Sequence, residues 1–389
     1  MKMTSSLLYK SHYFLVNWEV CVCILSVYFQ LCYKISILFM RRKFRSRKMA
    51  TTSYTPSKFV SVEDVKDRSR NNPSARFRLV SFNILAQAYV KSENFPHSPS
   101  SCLRWKSRSQ AIITTLKNLN ADFFCLQELD EYETFYKPTV ESLGYSCIYI
   151  QRSGTKRDGS GIFFKKNCAL LLMEEKIRFN DLLNSIQTKP STCHSDSKSS
   201  DGDLSDPAVR FKRDCVGVMA AFKLNAPSNP VVIIANAHLY WDPELADVKL
   251  AQAKYLLSRL AKFNSTVSAE FASTPGIILA GDFNSTPGDK VYQFLVSGDC
   301  ASANAEEELP IPLRSSYGYG RAEPLFTNCT PGFTGTLDYI FFNPLDELRL
   351  VSLLELPQSD SQAVIGGLPN FYFPSDHLPI GAEFELTTK

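Results

Sequence analysis

From about Phe77 onward, apolar residues fall into two alternating patterns. Short alternating or continuous apolar runs predict strands over residues 77–85, 121–129, 145–150, 161–165, 216–224 and 231–239. Four more are predicted over 276–280, 337–342, 348–356 and 378–386. Between them, Ile112, Ile113 and Leu116 recur at helical spacing within 104–119, and a second helix is expected near 133–143. The clearest helix is 243–263: Pro243 suits its first turn, and Leu245, Val248, Ala251, Tyr255 and Leu256 share one side. Adjacent, hairpin-like strands mixed with helices imply an α+β fold. Its architecture is a four-layer sandwich of two packed mixed β-sheets flanked by helices.

Polar residues stand where these apolar runs stop: Asn83, Gln127-Glu128, His238, Asp282 with Asn284, Asp338, and Asp376-His377. Packing explains such positions poorly, whereas a site assembled along one edge of a sheet explains them well. Carboxylates, carboxamides and one or two histidines are also what hard divalent cations and phosphoryl chemistry require.

Each position also has a structural reading. Asp282 and Asn284, two apart in a strand, would point into one pocket, yet with Ser285, Pro287 and Gly288 they equally spell a turn. Glu128 ends a buried strand, where a carboxylate is costly unless paired or metal-bound; otherwise it emerges into solvent with Asp130 and Glu131. His238 fits a hydrogen-bonded structural histidine as well as a catalyst, and Trp241 and Pro243 fit core packing as well as flat surfaces for a base. Asp338, inside a strand, needs a partner, which His377 can supply; a carboxylate that orients an imidazole improves it as a donor to developing negative charge. Ser375-Asp376-His377 is a poor serine-hydrolase relay, because neighbours on an extended chain point apart.

The 389-residue chain carries a formal charge of +4, but nine of its 43 Lys and Arg and only one of its 39 acids lie in residues 1–48. Residues 49–389 therefore hold 34 basic and 38 acidic residues, a net of −4, so global charge gives no support for nucleic-acid binding. Eleven irregularly spaced cysteines without a CxxC pair exclude a disulfide framework or structural zinc and point to a reducing compartment, cytoplasm or nucleus. Residues 1–48 form a hydrophobic and basic leader with three readings: a signal anchor, an organelle-targeting leader, or an upstream extension of the gene model ahead of Met49. The last is favoured, since Lys34 and three cysteines make a poor span, and membrane association is expected only if the leader is real. Residues 49–76 read as a linker and 77–389 as one domain, with a flexible Ser-, Asp- and Gly-rich insertion near 185–209 in which Cys193-His194 is incidental.

Taken in order, these motifs resemble the endonuclease/exonuclease/phosphatase superfamily, over almost the whole of 77–386. The finer resemblance is to its carbon catabolite repressor 4 type of poly(A) nuclease. The words that carry it are Ser81-Phe82-Asn83-Ile84-Leu85, Leu126-Gln127-Glu128, Asp158-Gly159, His238 with Tyr240-Trp241-Asp242-Pro243-Glu244, and Asp247-Val248-Lys249-Leu250. Further words are Phe326-Thr327-Asn328, Leu337-Asp338-Tyr339-Ile340 and Pro374-Ser375-Asp376-His377.

The resemblance implies magnesium-dependent phosphodiester hydrolysis and shortening of mRNA poly(A) tails with release of 5′-AMP. Carried over, Glu128 is a metal ligand, and Asp282 handles the attacking water and touches a second metal if there is one. Asn83 and Asn284 hold the phosphate, His238 and His377 stabilise charge, Asp376 sits beside the metal, and Asp338 holds His377. Pro243 and Phe333 would sandwich an adenine, with Trp241 nearby. Nocturnin, a relative that takes a dinucleotide phosphate, has basic residues where this chain has Tyr240 and Asp242, which favours RNA over a small nucleotide. The leucine-rich repeats through which larger members join the deadenylase complex are missing ahead of Phe77, leaving complex membership and a non-catalytic RNA-binding role open.

Overall fold

A computed structural model describes residues 58–62, 74–187, 205–296, 311–345 and 347–387. Strands β1 (Phe59–Ser61), β2 (Ser74–Asn83), β3 (Phe123–Gln127), β4 (Tyr145–Gln151) and β5 (Gly159–Lys165) belong to one sheet. Strands β6 (Ala169–Arg178), β7 (Val216–Leu224), β8 (Val231–His238), β9 (Gly276–Asp282) and β10 (Arg314–Ser315) belong to a second. The chain then forms a small hairpin, β11 (Asn328–Cys329) and β12 (Thr334–Gly335), and returns to the second sheet as β13 (Asp338–Phe342). It completes the first sheet with β14 (Leu348–Leu354) and β15 (Ile380–Thr387). The strand orders are β1-β14-β15-β2-β3-β5-β4 and β10-β13-β9-β8-β7-β6.

Both sheets are mixed, and their parallel pairs explain the long helices. A parallel pair needs a crossover connection. Helix α1 (Trp105–Leu119) links parallel β2 and β3; α2 (Lys137–Ser142) follows a π-helical turn at Tyr132–Tyr136. After α3 (Leu182–Gln187) and α4 (Pro207–Arg210), α5 (Ala246–Phe271) links parallel β8 and β9, and α6 (Lys290–Val296) follows β9. Asn120, left-handed at φ 46°, ends α1.

Side-chain alternation sorts the apolar residues into three interfaces between four layers. Phe77, Leu79, Phe123 and Cys125 of the first sheet face Val218, Phe222, Val232, Ile234 and Ile278 of the second. Their neighbours Val80, Phe82, Phe124 and Leu126 pack under α1 through Ile112, Ile113 and Leu116. On the far side, Ile233, Ala235, Ile277 and Leu279 pack under α5 through Leu256, Leu257 and Leu260. The expected four-layer sandwich is the observed fold.

Several elements depart from the sequence reading. The segment read as linker contains β1, paired with β14, and its last residues begin β2. Strand β6 was not predicted; a register shift between Leu171 and Met173 breaks its alternation, and it lies on a sheet edge. Helix α5 continues to Phe271 instead of stopping at 263. Of 185–209 the structure describes only the ends, in α3 and α4; Cys193, His194 and the leader 1–48 lie outside the described residues. Among the described residues no helix is long and apolar enough to cross a membrane.

Candidate active site

The site is the polar end of the layer between the two sheets. On β8, Val232 and Ile234 face that layer, so the same alternation carries Asn236 and His238 into it. The same count along β9 carries Ile278 and Ala280 to Asp282, along β13 Phe342 and Ile340 to Asp338, and along β2 Phe77 and Leu79 to Ser81 and Asn83. Strand register then sets these residues side by side, since Asp338 and His238 are both Cα partners of Asp282. Gly281 permits the close approach: it has φ 146°, and a Cβ there would lie 2.0 Å from the Ala237 carbonyl oxygen.

The first sheet contributes to this row across the interlayer. Asn83 donates its side-chain amide to Asp282 Oδ2 at 2.9 Å and to Glu128 Oε1 at 3.0 Å, and its Oδ1 accepts the Leu85 N–H at 3.0 Å. Glu128 follows Gln127, so alternation alone would turn it away from the interlayer. It enters the site because its backbone is left-handed, at φ 57°. That conformation costs a non-glycine residue about 1 kcal/mol or more, and such strain is concentrated at functional sites. Its other oxygen accepts the Ala86 N–H at 2.9 Å. Burial, followed by the charge of Asp376, pushes Glu128 up to about 7.

His377 Nδ1 lies 2.7 Å from Asp338 Oδ2, which also accepts the Thr327 hydroxyl at 2.6 Å. Burial alone would lower the His377 pKa, but the charges of Asp338 and Asp282 and the Asp338 hydrogen bond outweigh it and hold the ring well above its ordinary value. His377 is the site's imidazolium. His238 is shifted the other way, by burial against only partial opposition from Asp282, and is neutral. The Nε2 atoms of the two rings stand 3.6 and 3.7 Å from Asp282 Oδ2. Asp282 is raised, first by burial and then by Asp338.

Other sequence candidates occupy different places. Asn284 is left-handed at φ 47° and beyond the end of β9, so strand alternation does not pair it with Asp282 as anticipated. Its N–H instead donates to Asp282 Oδ1 at 2.9 Å, and its amide donates to the Leu239 carbonyl at 3.0 Å. Asp376 is half-buried and accepts the Ser375 hydroxyl at 3.3 Å, while Ser375 also donates to the Asn83 carbonyl. The partner of His377 is thus Asp338 and not the adjacent Asp376. Trp241 and Phe333 are 65% and 42% exposed, and Pro243 is exposed too, so these three lie at the surface and not in the buried cluster. The Phe333 ring folds over Gly335, where a Cβ would meet it at 2.9 Å.

Three supporting residues escaped the sequence reading. Asn236, a lone polar residue in an apolar run, accepts from Gln127 at 2.8 Å and donates to the Leu126 and Gly161 carbonyls, joining the two sheets beneath the site. Arg108, 1% exposed on α1, donates to the carbonyls of Ile84, Leu85 and Pro374 and to Gln87, fastening the loops behind Asn83 and Asp376. Buried Lys249, at the start of α5, donates to the Asn284 carbonyl at 2.7 Å. It belongs to Asp247-Val248-Lys249-Leu250, a stretch that supports the resemblance without assigning Lys249 a role.

The donor set fits a hard cation. Ligand atoms of Asp282, Asp338 and His377 lie within 4.8 Å of one another, and Asp338 Oδ1 is buried without a hydrogen-bond partner. Asp338 Oδ2 is engaged by His377 and Thr327, whereas the oxygens of Glu128 and Asp282 accept only N–H groups, so this second pair has no cation or hydroxyl hydrogen-bonded to it. There, carboxylates raised by burial are what a divalent charge would relieve.

Residues 80–377 match the Endonuclease/Exonuclease/phosphatase family, and the chain belongs to it. Within that class it is 60% identical over 324 residues to Carbon catabolite repressor protein 4 homolog 4 of Arabidopsis thaliana, covering 80% of this chain and 78% of that one. It is 31% identical over 374 residues to the CCR4-Not complex 3′-5′-exoribonuclease subunit Ccr4 of Schizosaccharomyces pombe. That match takes in 84% of this chain but 52% of the relative, so the chain spans about half the length of that larger protein. Among solved structures it resembles ANGEL2, a 2′,3′-cyclic phosphatase, with TM-score 0.66 and 26% identity over 86% of this chain and 99% of that one. The human nocturnin catalytic domain shares the fold, with TM-score 0.59 and 22% identity over 86% and 100% of the two chains.

Proposed function

We propose that the chain is a magnesium-dependent 3′-to-5′ exoribonuclease that shortens mRNA poly(A) tails and releases 5′-AMP. The observation that carries the chemistry is the Asn83 amide bridging Glu128 and Asp282 beside the cationic His377. The substrate class is supported by the relatives, one of which is named a 3′-5′-exoribonuclease subunit.

The residues divide the work by their charge states. Asp282, made more basic by burial, takes the proton of a water that attacks the terminal phosphodiester. His377 keeps a proton on Nε2 for a phosphoryl oxygen because Nδ1 is held by Asp338. Neutral His238 brings a second ring nitrogen, Nε2, to 3.6 Å from the same Asp282 oxygen. Asn83 holds the two carboxylates in place, and Glu128 with Asp282 would hold the magnesium, which supplies positive charge at the phosphate. Withdrawing negative charge in this way contributes on the order of several kcal/mol to lowering the barrier.

At the rim, Pro243 and Phe333 would stack a terminal adenine, with Trp241 beside them, each stacked base contributing roughly 1–3 kcal/mol. Tyr240 and Asp242 offer no cation of their own for a dinucleotide phosphate, which supports RNA as substrate. As partners we propose poly(A) RNA and subunits of a deadenylase complex, and as location the cytoplasm, the nucleus or both. The likeness to ANGEL2 supports one second reading, a phosphatase acting on a small or cyclic nucleotide. The test gives purified full-length protein oligo(A), other homopolymers and small nucleotides with magnesium; fastest turnover of oligo(A) is expected, and faster turnover of a small nucleotide would install the second reading.

A further inference from the structure

The segment before β7 holds a cation at the rim of the site. Arg213 precedes Val216 by three residues, and Val216 is the Cα partner of His238, so Arg213 lies at the catalytic end of the second sheet. Its guanidinium sits over the ring of Tyr240 at 5.1 Å, and Tyr240 follows His238 by two residues. Exposed Trp241 adjoins, its ring 6.0 Å from that of Tyr240.

The backbone that presents this cation is over-determined. Asn180 Oδ1 accepts the N–H groups of Arg213 and Asp214 at 3.0 and 3.1 Å. Arg152 donates to the carbonyls of the same two residues at 3.3 and 3.1 Å. Asp214 is thereby held left-handed, at φ 55°, and strain of this kind persists only where neighbours enforce it.

Part of the guanidinium is nevertheless unsatisfied. Its Nε is buried without a hydrogen-bond partner, and no carboxylate pairs with the group among the described residues. The neighbouring carboxylate of Asp214 is committed to Ser153 and Asn180. A guanidinium also offers its two Nη–H groups side by side, an edge that matches two oxygens of a phosphate without involving the buried Nε. The aromatic face beneath fixes its plane.

We propose that Arg213 is a substrate-binding residue that grips a backbone phosphate of the RNA other than the one cleaved. This rests on the exoribonuclease reading above. It gives the protein a preference for chains long enough to reach Tyr240 over a dinucleotide, which carries only the scissile phosphate. Tyr240 thus serves as a platform for a cation delivered from another strand.

The test compares wild type, Arg213→Gln and Arg213→Lys on a long oligo(A) and on the dinucleotide ApA. In Arg213→Gln, kcat/KM for oligo(A) is expected to fall about tenfold, through KM, and to fall far less for ApA. The slope of log KM against log salt should flatten by roughly 0.7, as for one lost phosphate contact on a single strand. Arg213→Lys keeps the charge and should retain most of the slope, which separates a phosphate contact from a folding defect. Equal losses on both substrates, or an unchanged salt slope in Arg213→Gln, would overturn the proposal. Failure of the wild type to degrade oligo(A) would instead overturn the exoribonuclease reading.

Discussion

Asn83 and Asp282 are 199 residues apart and belong to different sheets, yet the amide of one lies 2.9 Å from the carboxylate of the other. The contact closes the polar end of the interlayer and depends on both sheets keeping register. Asn83→Asp would replace the shared donor with a third carboxylate. Activity is expected to fall at least about a hundredfold, by the cost of misplacing a charged group in a preorganised site. Steady-state assays with circular dichroism to check the fold decide this, and a variant with near-normal kcat would remove Asn83 from the mechanism.

Asp338→Asn removes the counter-charge that keeps His377 protonated. The His377 pKa is raised in the folded protein, so its ionic contribution to stability is fully present below the unfolded value of 6.5 and lost as pH rises through the folded value. The variant should therefore lose activity most steeply on the alkaline side, with a descending limb moved to lower pH and kcat reduced roughly a hundredfold. A pH–rate profile parallel to that of the wild type would contradict the assignment.

Glu128 provides a pH test of metal binding. Its folded value of about 7 lies above the ordinary 4.5, so its contribution to stability is complete below 4.5 and lost as pH rises through 7. In EDTA the wild type should weaken relative to Glu128→Gln between roughly pH 5 and 8, by on the order of 1–2 kcal/mol after solvent screening. Magnesium binds the deprotonated form, so its affinity should rise with pH over the same range. Melting curves with and without the ion would reveal whether that crossover exists.

Arg108→Met tests the support behind the site. The substitution leaves the carbonyls of Ile84, Leu85 and Pro374 without their buried donor. A loss on the order of 3 kcal/mol in denaturant unfolding is expected, and a loss under about 0.5 kcal/mol would be too small for this role.

Much of the site was legible because alternation and strand order extend to the polar residues. Asp282, Asp338 and His238 each stand at the end of an apolar run, which marked them in the sequence, and each continues the strand face that lines the interlayer. Glu128 was found as a buried polar residue, but its entry into the site depends on a left-handed residue that no periodicity announces. Asn236 stayed hidden because a single carboxamide hardly alters an apolar run, and Arg108 and Lys249 read as the polar positions of ordinary amphipathic helices. Strand β6 was lost to its bulge, and β1 to its three-residue length. What the sequence could not provide was local backbone conformation and the identity of the hydrogen-bond partners.

The central claim is hydrolysis of the terminal phosphodiester by the Glu128, Asp282 and His377 cluster with magnesium. The most direct measurement follows the shortening of an oligo(A) labelled at its 5′ end, with the released 5′-AMP identified by chromatography, by wild type and Glu128→Gln. One-nucleotide shortening that requires magnesium and is abolished in Glu128→Gln is the predicted result. Shortening that persists in EDTA, or equally in Glu128→Gln, would contradict it.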